Sequence, residues 1–544
     1  MTAQEDETSS TTDALVQTPV LKWQYAGCYS SWCETGWYSS PAVADLDGNG
    51  SMEVIASAYS VVALNGATGE LLWRVASGHD RSEPPYPDTP NVGRTWPGVV
   101  VADVDGDDKP EIVTAHSGGW VSVYNENGYF EPGWPKQPAN RELRGLLVDD
   151  LDGDGTLEII VNEADNYQNT WVYEHNGTLR PGWPRLKQND SGGYGWGVYN
   201  DNAAAGDLDG DGRSEIVVPS DVHYICAYEP DASHIPAHSM YDGKTWGLVG
   251  VWESLDIELR GWGQCNGVRA ESFRTNFASG PAVLADVDGN GSPEVVVTGN
   301  TYDCSKNPYL SKYTGVFIFH PDRSRFQSGP FDWRTVPVDT GAPIAEDWNV
   351  IESNQPNPAV ADLDGNGTLE IIFPSYDGRI HAFWLDKTEH GNWPYSVYKP
   401  AEGFYRFASE PVVADLDNNG SAEVIFASWG QKGSNAGGKL HILDYLGNPL
   451  HELSLPVAFG SPDWSGGLAA PTLADLDGDP DLELVLNTAH AGFVAYDLPG
   501  TASARVLWAT GRGNFRRNGS LLGRNIFVDG FESGNTLAWN AKVP

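Results

Sequence analysis

The chain has 544 residues and carries 74 acidic against 33 basic side chains, a net charge of −41. That surplus disfavours nucleic acid and anionic membrane as partners and favours cations. No apolar run is long enough to cross a bilayer as a helix, while 21 Trp and a 40% hydrophobic fraction suffice for a large core.

Residues 1–19, which open MTAQEDETSSTTDALVQ, read as a disordered acidic segment and not as a signal peptide. They look like the start of a mature exported chain with an added Met, so a secreted or cell-surface location is expected. The cysteines agree. Cys28 with Cys33 and Cys265 with Cys304 lie in polar, loop-like stretches and are expected as two disulfides, with Cys226 in HYICAYE a lone buried strand thiol.

Residues 20–515 repeat themselves. PAVADLDGNGSMEVI at Pro41–Ile55 returns seven times, with first aspartates at Asp45, Asp103, Asp150, Asp207, Asp286, Asp362, Asp415 and Asp475. Each acidic loop leads into a β-branched run such as EVVVT, then a second alternating run such as WVSVYNENG. A last strand often follows and ends near Trp or Pro, as in ELLWRV, FEPGWPK and LRPGWPR. Four short strands per unit, joined by Gly/Asn turns, describe a propeller blade. The expectation is an all-β, eight-bladed β-propeller, with seven blades as the alternative. VLKWQYA near the start and RVLWATG near the end both resemble an outer strand, and either could close the ring. Residues 516–544 are set apart as a tail.

The loop spacing suggests a metal site. Aspartate at positions 1 and 3, Asp or Asn at 5 and Glu at 9 can converge if the backbone turns sharply, which glycine at 4 and 6 permits. Repeats one to four offer Asp45, Asp47, Asn49 and Glu53; Asp103, Asp105, Asp107 and Glu111; Asp150, Asp152, Asp154 and Glu158; and Asp207, Asp209, Asp211 and Glu215. Repeats five to eight offer Asp286, Asp288, Asn290 and Glu294; Asp362, Asp364, Asn366 and Glu370; Asp415, Asp417, Asn419 and Glu423; and Asp475, Asp477, Asp479 and Glu483. Only hard oxygen ligands are present, which selects Ca²⁺ over zinc or copper. Up to eight structural ions are expected, and their sixteen positive charges would take the net charge from −41 to −25. An EF-hand is excluded, because position 12 is never a carboxylate and strands flank the loops. Asp108 and Pro480 replace the second glycine and Asn418 the first, so repeats two, eight and seven are expected to hold the weaker sites.

These motifs resemble the FG-GAP/VCBS calcium-binding repeats of β-propellers, the type also found in integrin α-subunit heads, over about Pro41 to Thr510. The resemblance implies a calcium-binding propeller of an exported bacterial type. Its usual Asp at position 9 is Glu throughout this chain, which leaves open direct ligation, ligation through water, or a bracing role. The stretch IFVDGFESGNTLAWN resembles a short C-terminal segment of exported bacterial proteins.

Loops leading into the inner strands carry Trp37, Arg94, Trp96, Arg144, Trp196, Arg274, Arg406 and Trp464. Gathered round one rim, rings could stack on sugars and Arg could grip carboxylates. The competing reading is that the aromatics plug the channel and the arginines pair with acids. No G-x-S-x-G or H-E-x-x-H is present, and no catalytic residue is assigned. The expected function is therefore a monomeric binding or adhesion module for a glycan or a cell-surface protein. The alternative is a polysaccharide lyase, since some rhamnogalacturonan lyases are eight-bladed propellers with similar loops.

Overall fold

The computed structural model describes residues 16–522 except 27–36, 58–59, 77–93, 139, 165–167, 188–189, 266–267, 271–273, 303–311, 338–343, 346–349 and 351–355. The side chains of 76, 264, 265, 268–270, 301, 302, 312 and 313 also fall outside it. The expected disulfide cysteines Cys28, Cys33 and Cys304, and the side chain of Cys265, therefore lie outside the described residues. Cys226 is a free, fully buried thiol, pushed up to about 12 by that burial.

Every acidic loop is a turn between two antiparallel strands, and each such pair starts a blade. Blade one is Ala42–Ala44, Glu53–Ser57, Ser60–Asn65 and Leu71–Ala76. Blades two to five begin Val100–Ala102, Leu143–Asp149, Ala204–Gly206 and Ala282–Ala285. Their fourth places are held by short bridges, such as Tyr173 with Leu179 and Tyr228 with His234. Blades six and seven begin Ala359–Ala361 and Val412–Asp415 and carry regular outer strands, Tyr395–Ser396 and Pro449–Ser454. Blade eight is Thr472–Ala474, Leu482–Asn487, Phe493–Leu498 and the N-terminal strand Val20–Tyr25. There are eight blades, so the seven-bladed alternative falls. The strands after the loops are buried at every described residue, as in Glu53–Ser57 and Glu111–Ala115, because a blade is packed by a neighbour on both faces.

VLKWQYA therefore closes the ring. The second contender, Arg505–Trp508, does something else. It pairs antiparallel with the channel-side edge of Val412–Asp415 in blade seven. The chain then winds inside the ring, where Ala509 O accepts from Leu473 N, Phe515 O from Val101 N and Arg516 O from Val148 N. Asn518 O and Gly519 O accept from Ala205 N and Leu284 N. Segment 509–522 thus touches the inner strands of blade after blade. Arg512 and Arg517 are buried within it, and Arg517 donates to the carbonyls of Ser40, Pro41, Val99 and Gly511 at 2.8–3.1 Å. Residues 516–522, assigned to a tail by sequence, lie in this plug. The plug turns at Gly519, whose φ is +63°, and a Cβ there would stand 2.2 Å from Arg512 Nη2.

Trp residues on or beside the outer edges of the blades join one blade to the next. Trp23, Trp73, Trp134, Trp183, Trp246, Trp333 and Trp393 each donate the indole N–H to a backbone carbonyl of the following blade, at 2.7–3.2 Å. The acceptors are Gly66, Glu126, His175, Pro230, Pro321, Leu385 and Tyr445, all just past a third strand. At the remaining junction, blade seven to eight, His451 occupies the register of Trp23, and its Nε2 lies 2.9 Å from Val16 O. Each such bond adds about 1 kcal/mol net, on top of the buried ring.

The insertion at Tyr228–Ser279 is anchored by Glu258. Its carboxylate is fully buried and accepts from Arg323 at 2.9 Å, Arg325 at 2.6 Å and Tyr241 at 2.8 Å. The two guanidiniums and the hydroxyl keep this carboxyl below its ordinary range despite burial.

Candidate metal centres and the opposite rim

The eight acidic loops share one hydrogen-bond plan. Position 5 accepts the amide of position 7 through its side chain in all eight, as Asn366 does from Thr368 at 2.7 Å and Asp479 from Asp481 at 2.8 Å. The first Asp accepts the amide of position 6 through Oδ2 in seven loops, as Asp286 does from Gly291 at 2.7 Å. The eighth loop lacks this bond because Pro480 has no N–H. Asp108 and Asn418 take glycine's place and adopt φ of 69° and 55°, the left-handed region that costs roughly 1–2 kcal/mol for a residue with a Cβ.

The position-9 glutamates resolve the question that their side-chain length raises. In every loop Oε2 accepts the amide of position 2, at 2.7–3.0 Å. One oxygen therefore braces the turn. The other points toward the loop interior: the acidic oxygens of positions 1, 3 and 9 lie within 4.8 Å of one another in repeats one to five, and three more such groups exist among the described residues. Oε1 of Glu215 and of Glu370 is buried without a hydrogen-bond partner. Burial, followed by the charge of the neighbouring aspartates, pushes Glu53 up to about 7, Glu111 and Glu215 to about 8 and Glu370 to about 9. Converging oxygens, an orphaned buried carboxylate oxygen and no nitrogen or sulfur donor fit a hard divalent cation.

Adjacent loops are also tied to each other. The position-8 amide donates to the position-2 carbonyl of the preceding loop in Leu157–Val104, Ser214–Leu151, Leu369–Val287 and Ala422–Leu363, at 2.8–3.1 Å. Two further junctions lack the bond because position 8 is Pro110 or Pro293. Position 2 thus receives the glutamate brace on its amide and the next blade on its carbonyl.

Five loops meet donors from elsewhere: in repeat six Trp384 Nε1 donates to Asp364 Oδ2 at 3.1 Å, in repeat seven Arg505 reaches Asp415 at 3.1 Å, and three more loops meet a basic side chain at position 3 or 9. Arg180 reaches Asp152 at 2.7 Å and Glu158 at 3.1 Å, and Lys22 reaches Asp477 at 2.5 Å and Glu483 at 2.9 Å. In repeat five, His320 Nδ1 stands 3.5 Å from Glu294 Oε1. Sequence reasoning missed all three, since each pairs a loop with a third or outer strand.

The opposite face is built by segments that enter the inner strands. Arg94 lies 5.0 Å from the Trp37 ring and 5.1 Å from that of Trp96, and Arg144 lies 3.9 Å from the Trp96 ring. Glu142 accepts from both arginines, at 3.3 and 2.7 Å. Tyr38 packs on Trp96 at 4.1 Å, and Trp37 on Trp464 at 6.4 Å. Five of the eight expected rim residues therefore come together: Trp37, Arg94, Trp96, Arg144 and Trp464. Trp96 and Trp464 are buried, while Trp37 is half-buried and the two arginine side chains are 29% and 20% exposed. Arg406 is buried and spent on Glu402 and the Gly437 carbonyl. Arg274 bridges Trp252, and the half-buried Trp196 offers its carbonyl to Asn169. Beneath the cluster is a polar recess lined by Tyr38, Asp201, Asn357, Glu410, Arg512 and Arg517. Burial pushes Asp201 up to about 7 there, against the pull of Arg512.

The family model of the FG-GAP-like repeat matches residues 150–218 and 362–426, which cover loops three, four, six and seven. The chain carries FG-GAP-like repeats on an eight-bladed β-propeller. Among curated proteins it is similar to rhamnogalacturonan endolyase YesW of Bacillus subtilis (strain 168), 23% identical over 260 residues, covering 42% of this chain and 37% of that one. It is also similar to cartilage acidic protein 1 of Homo sapiens, 22% identical over 397 residues, covering 66% and 58%. The chain thus spans well under two thirds of either relative. A solved structure of exotype rhamnogalacturonan lyase YesX aligns with a TM-score of 0.49 at 15% identity, covering 88% of this chain and 75% of that one. Among the described residues no helix is long and apolar enough to cross a membrane.

Proposed function

We infer that this is a secreted, calcium-stabilised β-propeller that acts as a binding module for a glycan at the cell exterior. The loops are its calcium sites, and the rim opposite them is its contact surface. The observation that carries the calcium part is the buried, orphaned Oε1 of Glu215 and Glu370 beside two aspartates. Ca²⁺ takes six to eight oxygens, and loops of this kind in extracellular modules bind at roughly 10⁻⁴–10⁻³ M, which suits calcium outside cells. On the rim, Trp37 offers a half-exposed ring, and Arg94 and Arg144 offer guanidiniums already aligned by Glu142. Rings of this type stack on sugar faces, and the guanidiniums can take a sugar carboxylate.

A second reading, a polysaccharide lyase, is favoured by the similarity to a rhamnogalacturonan endolyase. One experiment separates the two: incubation with a panel of acidic and neutral polysaccharides in millimolar calcium. Retention on one glycan without turnover, lost in Arg144→Ala, supports the binding module. Release of unsaturated products that absorb in the ultraviolet supports the lyase. Neither retention nor turnover on any glycan, with retention on a cell-surface protein instead, would overturn both glycan readings.

A further inference from the structure

Repeats three and eight differ from their neighbours in one respect. A basic side chain from the outer edge of the same blade enters the acidic loop and spans positions 3 and 9. Arg180 takes Asp152 Oδ2 and Glu158 Oε1, and Lys22 takes Asp477 Oδ2 and Glu483 Oε1. The two arrangements use the same oxygens. Glu158 Oε1 and Glu483 Oε1 correspond to the atom that is orphaned in Glu215 and Glu370; Glu483 Oε1 accepts a hydrogen bond from Lys22, whereas Glu158 Oε1 is met by Arg180 Nη1 as an ion pair only, that nitrogen donating to Glu174 at 3.3 Å. Among the described residues, no basic side chain lies within ion-pair distance of the corresponding acids in repeats one, two, four and six.

We propose that Arg180 and Lys22 are built-in cations that replace calcium, so that repeats three and eight hold no ion and the propeller binds at most six. This rests on the calcium reading of the remaining loops. A calcium ion needs carboxylate oxygens at 2.3–2.6 Å, and a guanidinium or ammonium bridging the same two oxygens stands in that space. Bringing both cations to one loop would set like charges a few ångströms apart in a partly buried site. Arg180 cannot easily swing aside. Its side chain is 9% exposed, and Nε also donates to Pro230 O at 3.2 Å. Lys22 lies on the strand that closes the ring, so blade eight is completed and neutralised by one element. The chain here supplies a covalently attached counter-charge where other repeats must recruit one.

Arg505 is the internal control. It too meets a loop acid, at 3.1 Å from Asp415, but on the Oδ2 that already accepts from Gly420, and it is 50% exposed. It leaves positions 3 and 9 of repeat seven open.

The test is equilibrium dialysis of the full chain against labelled calcium at several millimolar, with circular dichroism to establish folding. The wild-type protein is expected to bind no more than six ions. Lys22→Gln and Arg180→Gln are each expected to bind one more than wild type, the double variant two more, and Arg505→Gln the same number. The melting temperature of each single variant should become more calcium-dependent than that of wild type. A wild-type count of seven or eight would overturn the proposal, as would a folded Lys22→Gln protein with an unchanged count. Should Arg180→Gln not fold, the Lys22→Gln result decides alone. No bound calcium in any protein would instead sink the calcium reading itself, a different and recognisable result.

Discussion

The position-9 glutamate shows how one side chain can serve two purposes. Its Oε2 is committed to the position-2 amide, so the turn keeps its shape whether or not an ion is present. Its Oε1 is left buried and, in the metal-free protein, is best satisfied by a proton. The sign of the pH dependence follows. An acid whose folded pKa is raised, here from an ordinary value near 4.5 to about 8 in Glu215 and about 9 in Glu370, favours folding in its protonated form. It costs stability increasingly as pH climbs from the ordinary value through the folded one. In excess EDTA the melting temperature should therefore fall by several degrees between pH 5.5 and 8.5, and saturating calcium, which requires the deprotonated ligand, should remove or reverse that fall. Glu370→Gln sharpens the test, because it removes the charge while Gln can still accept from Leu363. It should melt higher than wild type in EDTA and gain less from added calcium. A flat or rising profile in EDTA would refute the account.

At the scale of the element, the outer strand is a joint as much as a strand. Seven indole N–H groups and one imidazole reach across the eight blade junctions, and removal of Trp333 leaves the Leu385 carbonyl without its donor, whereas the Pro230 carbonyl beneath Trp183 keeps Arg180. Trp333 and Trp508 form a matched pair for testing this. Both are fully buried, but Trp333 Nε1 donates to Leu385 O at 2.9 Å, whereas Trp508 Nε1 has no partner. Replacement by Phe removes the same volume from each. Trp333→Phe should cost about 1–3 kcal/mol more than Trp508→Phe in urea unfolding, the difference being the stranded carbonyl. Equal costs would show that the indoles act through packing alone. The Trp residues of ELLWRV, FEPGWPK and LRPGWPR were plain in the sequence, and so were the eight acidic loops. Their partners were not legible, since a carbonyl acceptor in the next blade carries no residue signature. His451 at the eighth junction, and Arg180 and Lys22 in the loops, needed the register of the outer strand.

For the molecule as a whole, the question is what keeps eight blades in one ring. The N-terminal strand closes the outside, Pro110 and Pro293 interrupt the belt of loop-to-loop bonds, and the plug grips the inside. The sequence could not assign that last role. RVLWATG has the alternation of any strand, and only the free channel-side edge of blade seven distinguishes it from an outer strand. The plug's buried arginines face Asp201 and Glu410, and they donate to the carbonyls of Val99, Ala203 and Ala282, and also to those of Ser40 and Pro41, which Val99 N and Thr472 Oγ1 already reach. Leaving such groups buried and unpaired costs roughly 1–3 kcal/mol each, which is large against the stability of a domain. A chain ending at Ala504 should therefore lose its cooperative melt or melt far lower than the full chain, even in saturating calcium. Adding a peptide of residues 505–522 should restore much of that loss, because besides its own internal turns it bonds to seven of the eight blades. If the truncated chain melts as the full chain does, the ring is held by its outer closure and its loops, and the plug merely fills space.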